Sequence, residues 1–424
     1  MTNIRCGQNR HTSHRAIGAA GLLLLLSSLS PNAVHAGALY FPEMSSASEA
    51  GYAGAGMVAR ANDAGTAFSN PAGMTRFDEP QMLVGGTGVY IVAGARRNEG
   101  NTAEGTSSGA NKRIVPAGSF AYVRPISDKV AVGVSAHNYF GLAIDWKDDW
   151  VGRYSSVSIA LLAPQLQPSI AYKVNDWLSV GAGAAITMGY MKEKLRVAPV
   201  QPDGRDGKLR ISDNAWAVQG NLAMMIEPSD RTRIGIRWLS ETDLDFKDSP
   251  DLSGPDLPDL PGLGLDGIDL GITMPQTLNV GVHHQWNDKL ALLGSVGWEE
   301  FSQFGRIQVG VDDTGVGTTI EEDFRDVWSV GIGAEYKLRP DWELTAGFNF
   351  DSSMSSDRTR PIVIPLGKMY RYGVGVKHKR PSGRTINGGL SWIWEGNMGI
   401  PENNGVDVTY TDVSIWVASL SYSF

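Results

Sequence analysis

The sequence predicts an all-β chain, a 14-stranded antiparallel transmembrane β-barrel. Three observations carry this: a period-two alternation repeated along the chain, short polar turns alternating with longer connections, and a last strand that ends on Phe424. The composition agrees. Of 424 residues, 51 are Gly, 12 Trp, 13 Tyr and 12 Phe beside 19% charged residues, too aromatic and too weakly charged for a disordered chain. A net charge of -8 with no basic stripe argues against nucleic acid as a partner, and a single Cys, Cys6, excludes disulfide scaffolds, thiol catalysis and Cys-ligated zinc.

Residues 1–36 read as a secretory signal peptide. Arg5, Arg10 and Arg15 stand without an acidic neighbour, an apolar run follows from Ile17 to Leu29, and Pro31 leads to Val34-His35-Ala36, whose small residues suit a signal peptidase. The run is shorter than the roughly 20 apolar residues of an anchoring helix. Cleavage removes three positive charges and Cys6, taking the net charge from -8 to -11. No later stretch is long and apolar enough for a transmembrane helix, so a membrane-embedded mature chain has to be a barrel.

The barrel occupies residues 80–424. In Ser329 to Lys337, Val330, Ile332, Ala334 and Tyr336 form one face, while Gly331, Gly333, Glu335 and Lys337 form the other. Leu278 to Trp286 repeats the scheme, and so does the last strand, with Trp416, Ala418, Leu420, Tyr422 and Phe424 on one face. A soluble sandwich also alternates, with its apolar face turned to a core. Aromatic placement separates the two cases. Tyr122, Tyr172, Trp286 and Tyr336 precede short turns, and Trp177 and Trp342 follow them, as an interfacial girdle requires. A terminal Phe within an alternating strand resembles the signal read by the machinery that assembles bacterial outer-membrane barrels. Short turns near Ser127, Asn175, Ser229, Asn287, Pro340 and Pro381 put both barrel ends on one side and imply seven hairpins, hence 14 strands. Their cores begin near residues 81, 115, 129, 166, 177, 214, 231, 273, 289, 324, 343, 368, 385 and 410. A propeller is disfavoured because no blade motif recurs.

Fourteen strands enclose more space than side chains fill, so the lumen must be plugged, occupied by ligand or leaky. Residues 37–79 differ from the strands: they are rich in Ala, Gly and Ser and contain Asn62-Asp63-Ala64-Gly65 and Asn70-Pro71-Ala72. Small residues permit close backbone packing, and Pro71 biases Asn70 away from helix. Either a mobile leader or a compact plug fits this composition.

The stretch Ala61 to Phe77 resembles the hatch of the FadL/TodX (OMPP1) family of outer-membrane channels for long-chain fatty acids and other hydrophobic compounds. Asn138-Tyr139-Phe140-Gly141-Leu142 with Trp150-Val151-Gly152-Arg153-Tyr154, and Met274-Pro275-Gln276-Thr277 with Trp298-Glu299-Glu300-Phe301-Ser302, are similar to two further family segments. The resemblance implies that residues 37–79 are a plug (hatch) in the lumen, with Asn70, Pro71 and Ala72 as its motif. It also implies a kinked third strand, here Val130 to Gly141, with Asn138, Phe140 and Gly141 at a lateral gate. Cargo would be captured outside, pass to a pocket in the barrel, and leave sideways into outer-membrane lipid when the hatch rearranges, without a cofactor. The alternatives are an aromatic hydrocarbon channel of the same fold and a general diffusion porin or structural barrel.

Leu39, Phe41, Phe68, Phe140 and Leu142, with Pro71, are the expected pocket residues. In the outer loop Asp243 to Ile272, Leu257, Leu260 and Leu263 lead an apolar set with Leu252, Leu265, Ile268 and Leu270, suited to capturing fatty acids or aromatic hydrocarbons. The eight Asp of that loop lack EF-hand spacing and read as a solvated rim, with no metal assigned. Arg153, Arg358 and Arg360 are candidates, by position, for pairing with a ligand carboxylate. An enzyme is not expected: His137, His283, His284 and His378 are the histidines beyond residue 36, and no Gly-x-Ser-x-Gly or His-Glu-x-x-His motif accompanies them.

Overall fold

The computed structural model describes residues 39–424 except 200–203, 249, 255–267, 305, 312–315, 322, 361, 364–365 and 401–404. Fourteen strands form a closed antiparallel meander. They are β1 Gln81–Arg97, β2 Ser108–Pro125, β3 Val130–Asp145, β4 Ser158–Asn175, β5 Leu178–Val197, β6 Gly207–Ser229 and β7 Thr232–Leu239. The second half consists of β8 Thr277–Gln285, β9 Leu290–Glu299, β10 Val327–Arg339, β11 Trp342–Asp351, β12 Met369–Lys379, β13 Thr385–Gly399 and β14 Val408–Ser423. Each strand pairs with the next, and β14 pairs with β1 from Leu83 opposite Ser423 to Arg97 opposite Val408, so the sheet closes on itself. All six short turns lie where the sequence puts them, at the end of the barrel that holds both the start of β1 and Phe424.

Outward residues follow the alternation. Leu278, Val280 and Val282 of β8 and Trp286 just after it are exposed, as are Val330, Ile332 and Tyr336 of β10. With no water in a bilayer, only a closed ladder satisfies the backbone of such strands. Several strands start earlier than expected at their outer ends: β2 at 108, β4 at 158 and β6 at 207. A span takes about 9–11 residues, whereas β6 has 23; the excess projects beyond the apolar band, where the girdle pattern gives no signal.

The outer connections also contain structure that the sequence reading treated as loop. Thr242–Asp248, Ile268–Met274, Arg306–Val311 and Val316–Glu321 form a four-stranded sheet. Its first strand alternates like the barrel: Asp243, Asp245 and Lys247 are exposed, and Leu244 and Phe246 are buried. The acids and the apolar side chains of this segment are two faces of one strand.

Residues 39–76 are buried against the inward faces of strands spread around the whole barrel. The segment contains α1 Pro42–Ser45, α2 Met57–Arg60, α3 Thr66–Ser69 and two 3-10 turns, Ala50–Tyr52 and Pro71–Arg76. Elements this short leave most backbone groups without internal partners. The inward side chains of the wall supply them: Ser419 donates to Ala47 O at 2.6 Å, Thr345 to Gly51 O at 3.1 Å, Gln167 to Ala67 O at 2.9 Å and Asn221 to Phe68 O at 2.9 Å. Arg233 donates to Ala59 O at 3.1 Å and to Arg60 O at 2.7 Å. The glycines of the inward face have the same cause. A Cβ at Gly181, Gly235 or Gly347 would collide with the backbone of Ala72, Val58 or Tyr52.

Candidate functional site

The site begins where β3 loses its register. Pairing with β4 runs regularly to Asn138 opposite Pro164 and resumes at Gly141 opposite Leu162, so Tyr139 and Phe140 face a single residue, Ala163. This is a β-bulge, and it bends the strand and re-aims both rings inward. Tyr139 is 2% exposed and Phe140 0%. The Asn138 amide nitrogen, in its satisfied orientation, donates to Phe140 O at 3.1 Å and Ala163 O at 3.2 Å and holds the bend. Gly141 is required there because a Cβ would lie 2.9 Å from Leu161 O.

The bulge has a partner in the N-terminal segment. Phe41 N–H donates to Tyr139 O at 2.8 Å and Gly141 N–H donates to Leu39 O at 3.0 Å, which makes Tyr40 and Phe140 an antiparallel bridge. On its other side β3 is open. The β2–β3 ladder runs only from Pro125 opposite Ala131 to Phe120 opposite Ala136. Beyond it β2 stays with β1 as far as Ser108, and β3 stays with β4 as far as Asp145. Among the described residues, nothing bonds the two backbones across this upper stretch.

Behind that gap lies an apolar cavity with an open mouth. Phe41 and Met44 form its floor, Gly141, Leu142, Ala143 and Ile144 come from β3, Val89, Ile91 and Ala93 from β1, Val115 from β2, and Val413 and Ile415 from β14. One ionisable side chain, Glu395, joins the lining. A ladder of aromatic rings approaches the same bulge from outside. Phe324 stacks on Phe304 with centroids 6.1 Å apart; Phe304 meets Phe301 at 5.8 Å and Phe140 at 6.1 Å, and Phe301 reaches Tyr40 at 6.0 Å. Leu244, Phe246, Ile272 and Met274 of the outer sheet belong to the same buried cluster.

Ion pairs tie the N-terminal segment to the wall. Arg371, 1% exposed, binds Glu43 at 2.9 Å and Asp351 at 2.6 Å and donates to Tyr40 O at 3.1 Å. Arg60 pairs with Glu49, and Tyr52 donates to Glu335 at 2.8 Å. Burial pushes the Glu49 carboxyl up from its ordinary value against the pull of Arg60. Asn70 uses its whole amide: the nitrogen donates to Val58 O at 2.6 Å and Met224 O at 3.0 Å, and the oxygen accepts from Ala72 N–H at 3.1 Å.

The expected site residues fall into five groups. Leu39, Phe41, Phe140, Leu142, Asn138 and Gly141 meet at the bulge or the cavity. Phe68 lies beside the bulge but outside the cavity lining, edge-on to Tyr139 at 5.0 Å, tilted against His137 at 3.9 Å and capped by Arg237 at 4.9 Å. Pro71 and Ala72 pack lower, against Gly181 of β5. Leu257, Leu260 and Leu263 lie outside the described residues. Two of the three arginines are engaged. Arg153 binds Asp206 at 2.7 Å and Glu104 O at 2.6 Å; burial opposes its charge, but Asp206 holds the guanidinium above its ordinary value. Arg360 is bonded by Asp357, Gly399 O and Leu366 O, and Arg358 is exposed. None of the three lines the cavity. Sequence reading missed Tyr40, Tyr139, Phe301, Phe304 and Glu395. Tyr139, Phe301 and Phe304 sit in or beside segments that carry the family resemblance, where their aromatic character was the available signal; Tyr40 neighbours the expected Leu39 and Phe41.

The chain is similar to known proteins over most of its length. Residues 27–424 match the family described as "Outer membrane protein transport protein (OMPP1/FadL/TodX)". Outer membrane protein P1 of Haemophilus influenzae is 26% identical, covering 88% of this chain and 89% of its own. The long-chain fatty acid transport protein of Escherichia coli K12 is 23% identical, covering 88% and 90%. A Pseudomonas aeruginosa FadL homologue superposes with a TM-score of 0.82 at 21% identity, over 92% of this chain and 99% of that one. The Pseudomonas putida toluene transporter TodX gives 0.67 at 16% identity, over 91% and 99%. The chain therefore belongs to the OMPP1/FadL/TodX family, whose members are outer-membrane β-barrel transporters and channels for hydrophobic compounds rather than enzymes.

Proposed function

We propose that this protein takes up long-chain fatty acids or related hydrophobic compounds, and that residues 37–79 act as the hatch. Cargo moves down the aromatic ladder to the cavity at the β3 bulge and leaves through the gap between β2 and β3 into lipid. The observation that carries this reading is the unpaired stretch of β2 and β3 with an apolar cavity behind it. A hydrocarbon gains roughly 0.8 kcal/mol per CH₂ on leaving water, so a route that passes from aromatic rings to cavity to bilayer keeps the chain dry throughout. A polar aqueous pore would forfeit that energy. The Tyr40–Phe140 bridge joins the hatch to the wall of the cavity, so cargo that displaces it loosens both.

Uptake by proteoliposomes with an internal acyl-CoA synthetase trap tests the reading. Saturable uptake of a radiolabelled long-chain fatty acid, abolished when bulky Leu replaces Gly141, is the expected outcome. Uptake unaffected by Gly141→Leu in a folded barrel would remove the lateral route. Growth of a deletion strain on fatty acids against toluene then chooses between aliphatic and aromatic cargo.

A further inference from the structure

Glu395 stands apart from everything around it. Among the described residues it is the only ionisable group lining the apolar cavity, it is 7% exposed, and Gly367 N–H donates to its Oε2 at 2.8 Å while Oε1 has no partner. It sits at a break in strand register. Pairing of β13 with β14 breaks between Trp394 opposite Ser414 and Gly396 opposite Val413, and Gly396 has φ +77°. Glu395 faces inward in step with Asn387, Ser391 and Ile393, while Trp394 faces outward and is exposed. The nearest cations are already committed, Arg371 to Asp351 and Glu43, and Arg360 to Asp357 and two carbonyls. A carboxyl oxygen left unpaired in apolar surroundings is costly, and no packing requirement in the cavity calls for it.

We propose that Glu395 is the polar end of the cargo pocket. Its free Oε1 hydrogen-bonds the hydroxyl or carboxyl head of a hydrophobic molecule, an alcohol, a phenol or a fatty acid, whose hydrocarbon body fills the cavity; whichever of the two partners carries the proton donates it. This rests on the cavity being the cargo site, as proposed above, and adds which end group the site selects.

The test uses the full-length mature protein in lipid nanodiscs at neutral pH, with binding read from tryptophan fluorescence and folding checked by heat-modifiable migration. The probes are dodecane, dodecan-1-ol and dodecanoate. Glu395→Leu should weaken dodecan-1-ol and dodecanoate by about fivefold or more, the worth of a hydrogen bond, and leave dodecane unchanged or tighter. Glu395→Gln keeps both a donor and an acceptor at that point and should retain dodecan-1-ol. Unchanged affinity for both headed probes in Glu395→Leu, or loss of dodecan-1-ol in Glu395→Gln, overturns the role of Glu395 while dodecane binding still upholds the cavity. Failure of all three probes to bind wild type overturns the cavity reading and this inference with it. Should Glu395→Leu not fold, Glu395→Ala is measured in its place. The pair 4-ethylphenol and ethylbenzene, run alongside, shows whether the hydroxyl is carried by an aromatic or an aliphatic body.

Discussion

Asn70 and Arg371 each hold the N-terminal segment through several bonds made by one side chain. Asn70→Ala leaves Val58 O, Met224 O and Ala72 N–H to find other partners, at about 1–3 kcal/mol for a buried group left unsatisfied. The barrel ladder is untouched, so the expected outcome is a folded protein with raised leak conductance in planar bilayers. Unchanged conductance would deny Asn70 a closing role. Arg371→Met leaves Glu43 and Asp351 buried at one point without their cation, a loss of about 3–5 kcal/mol. Its thermal midpoint should fall and its leak should exceed that of Asn70→Ala; equal or lower leak would show that the ion pair does not secure the segment. Gly141 and Gly396 illustrate the residue scale from the other side, since each allows the bend or close approach that its neighbours exploit.

At the scale of elements, the bulge in β3 and the strand-like piece at residues 39–41 form one unit. Tyr40 and Phe140 face each other without mutual backbone bonds, because the flanking residues make them. Such antiparallel pairs bring Cα atoms to about 4.5 Å, within disulfide reach. The double variant Tyr40→Cys with Phe140→Cys should therefore form a disulfide, and Cys6 is the only native thiol that could compete. Oxidised protein is expected to lose cargo uptake and recover it on reduction, measured in the proteoliposome assay. Full uptake by quantitatively cross-linked protein would exclude separation of the bridge as a transport step. The outer sheet makes a complementary point: Leu244 and Phe246 reach the buried cluster because Asp243 and Asp245 take the opposite face.

For the whole molecule, a 14-stranded cylinder is too wide for its own side chains to close, and the barrel's inward Gly, Ser, Asn, Gln and Arg are matched to a second layer of polypeptide. Removing residues 39–76 would uncover a polar lumen. A deletion of that stretch that still inserts should show steady, large single-channel conductance, whereas the intact protein stays nearly closed. Comparable small conductance in both would mean that the segment does not occlude the barrel. The same deletion strips the floor from the apolar cavity, since Phe41 and Met44 leave with it; saturable uptake should then give way to non-selective leak.

The sequence by itself determined the barrel, its strand number and its orientation of faces. Alternation has a period of two, lipid and lumen demand opposite side chains, and short polar turns mark one rim. It also marked the third strand as the place to look, through Asn138 to Leu142. Tertiary structure alone decided where the polar groups of the inner face are used. Ser419, Thr345, Gln167 and Arg371 read as ordinary lumen residues until the backbone of residues 39–76 arrives to be bonded by them. It alone decided that Arg153 and Arg360 are spent on loop carbonyls and carboxylates rather than available to cargo. It also brought Glu395 of β13 to a cavity bounded by β1, β2, β3 and β14. Strand patterning reports which face a residue occupies, but register breaks and closure of the cylinder set its neighbours, and those depend on contacts between residues hundreds of positions apart.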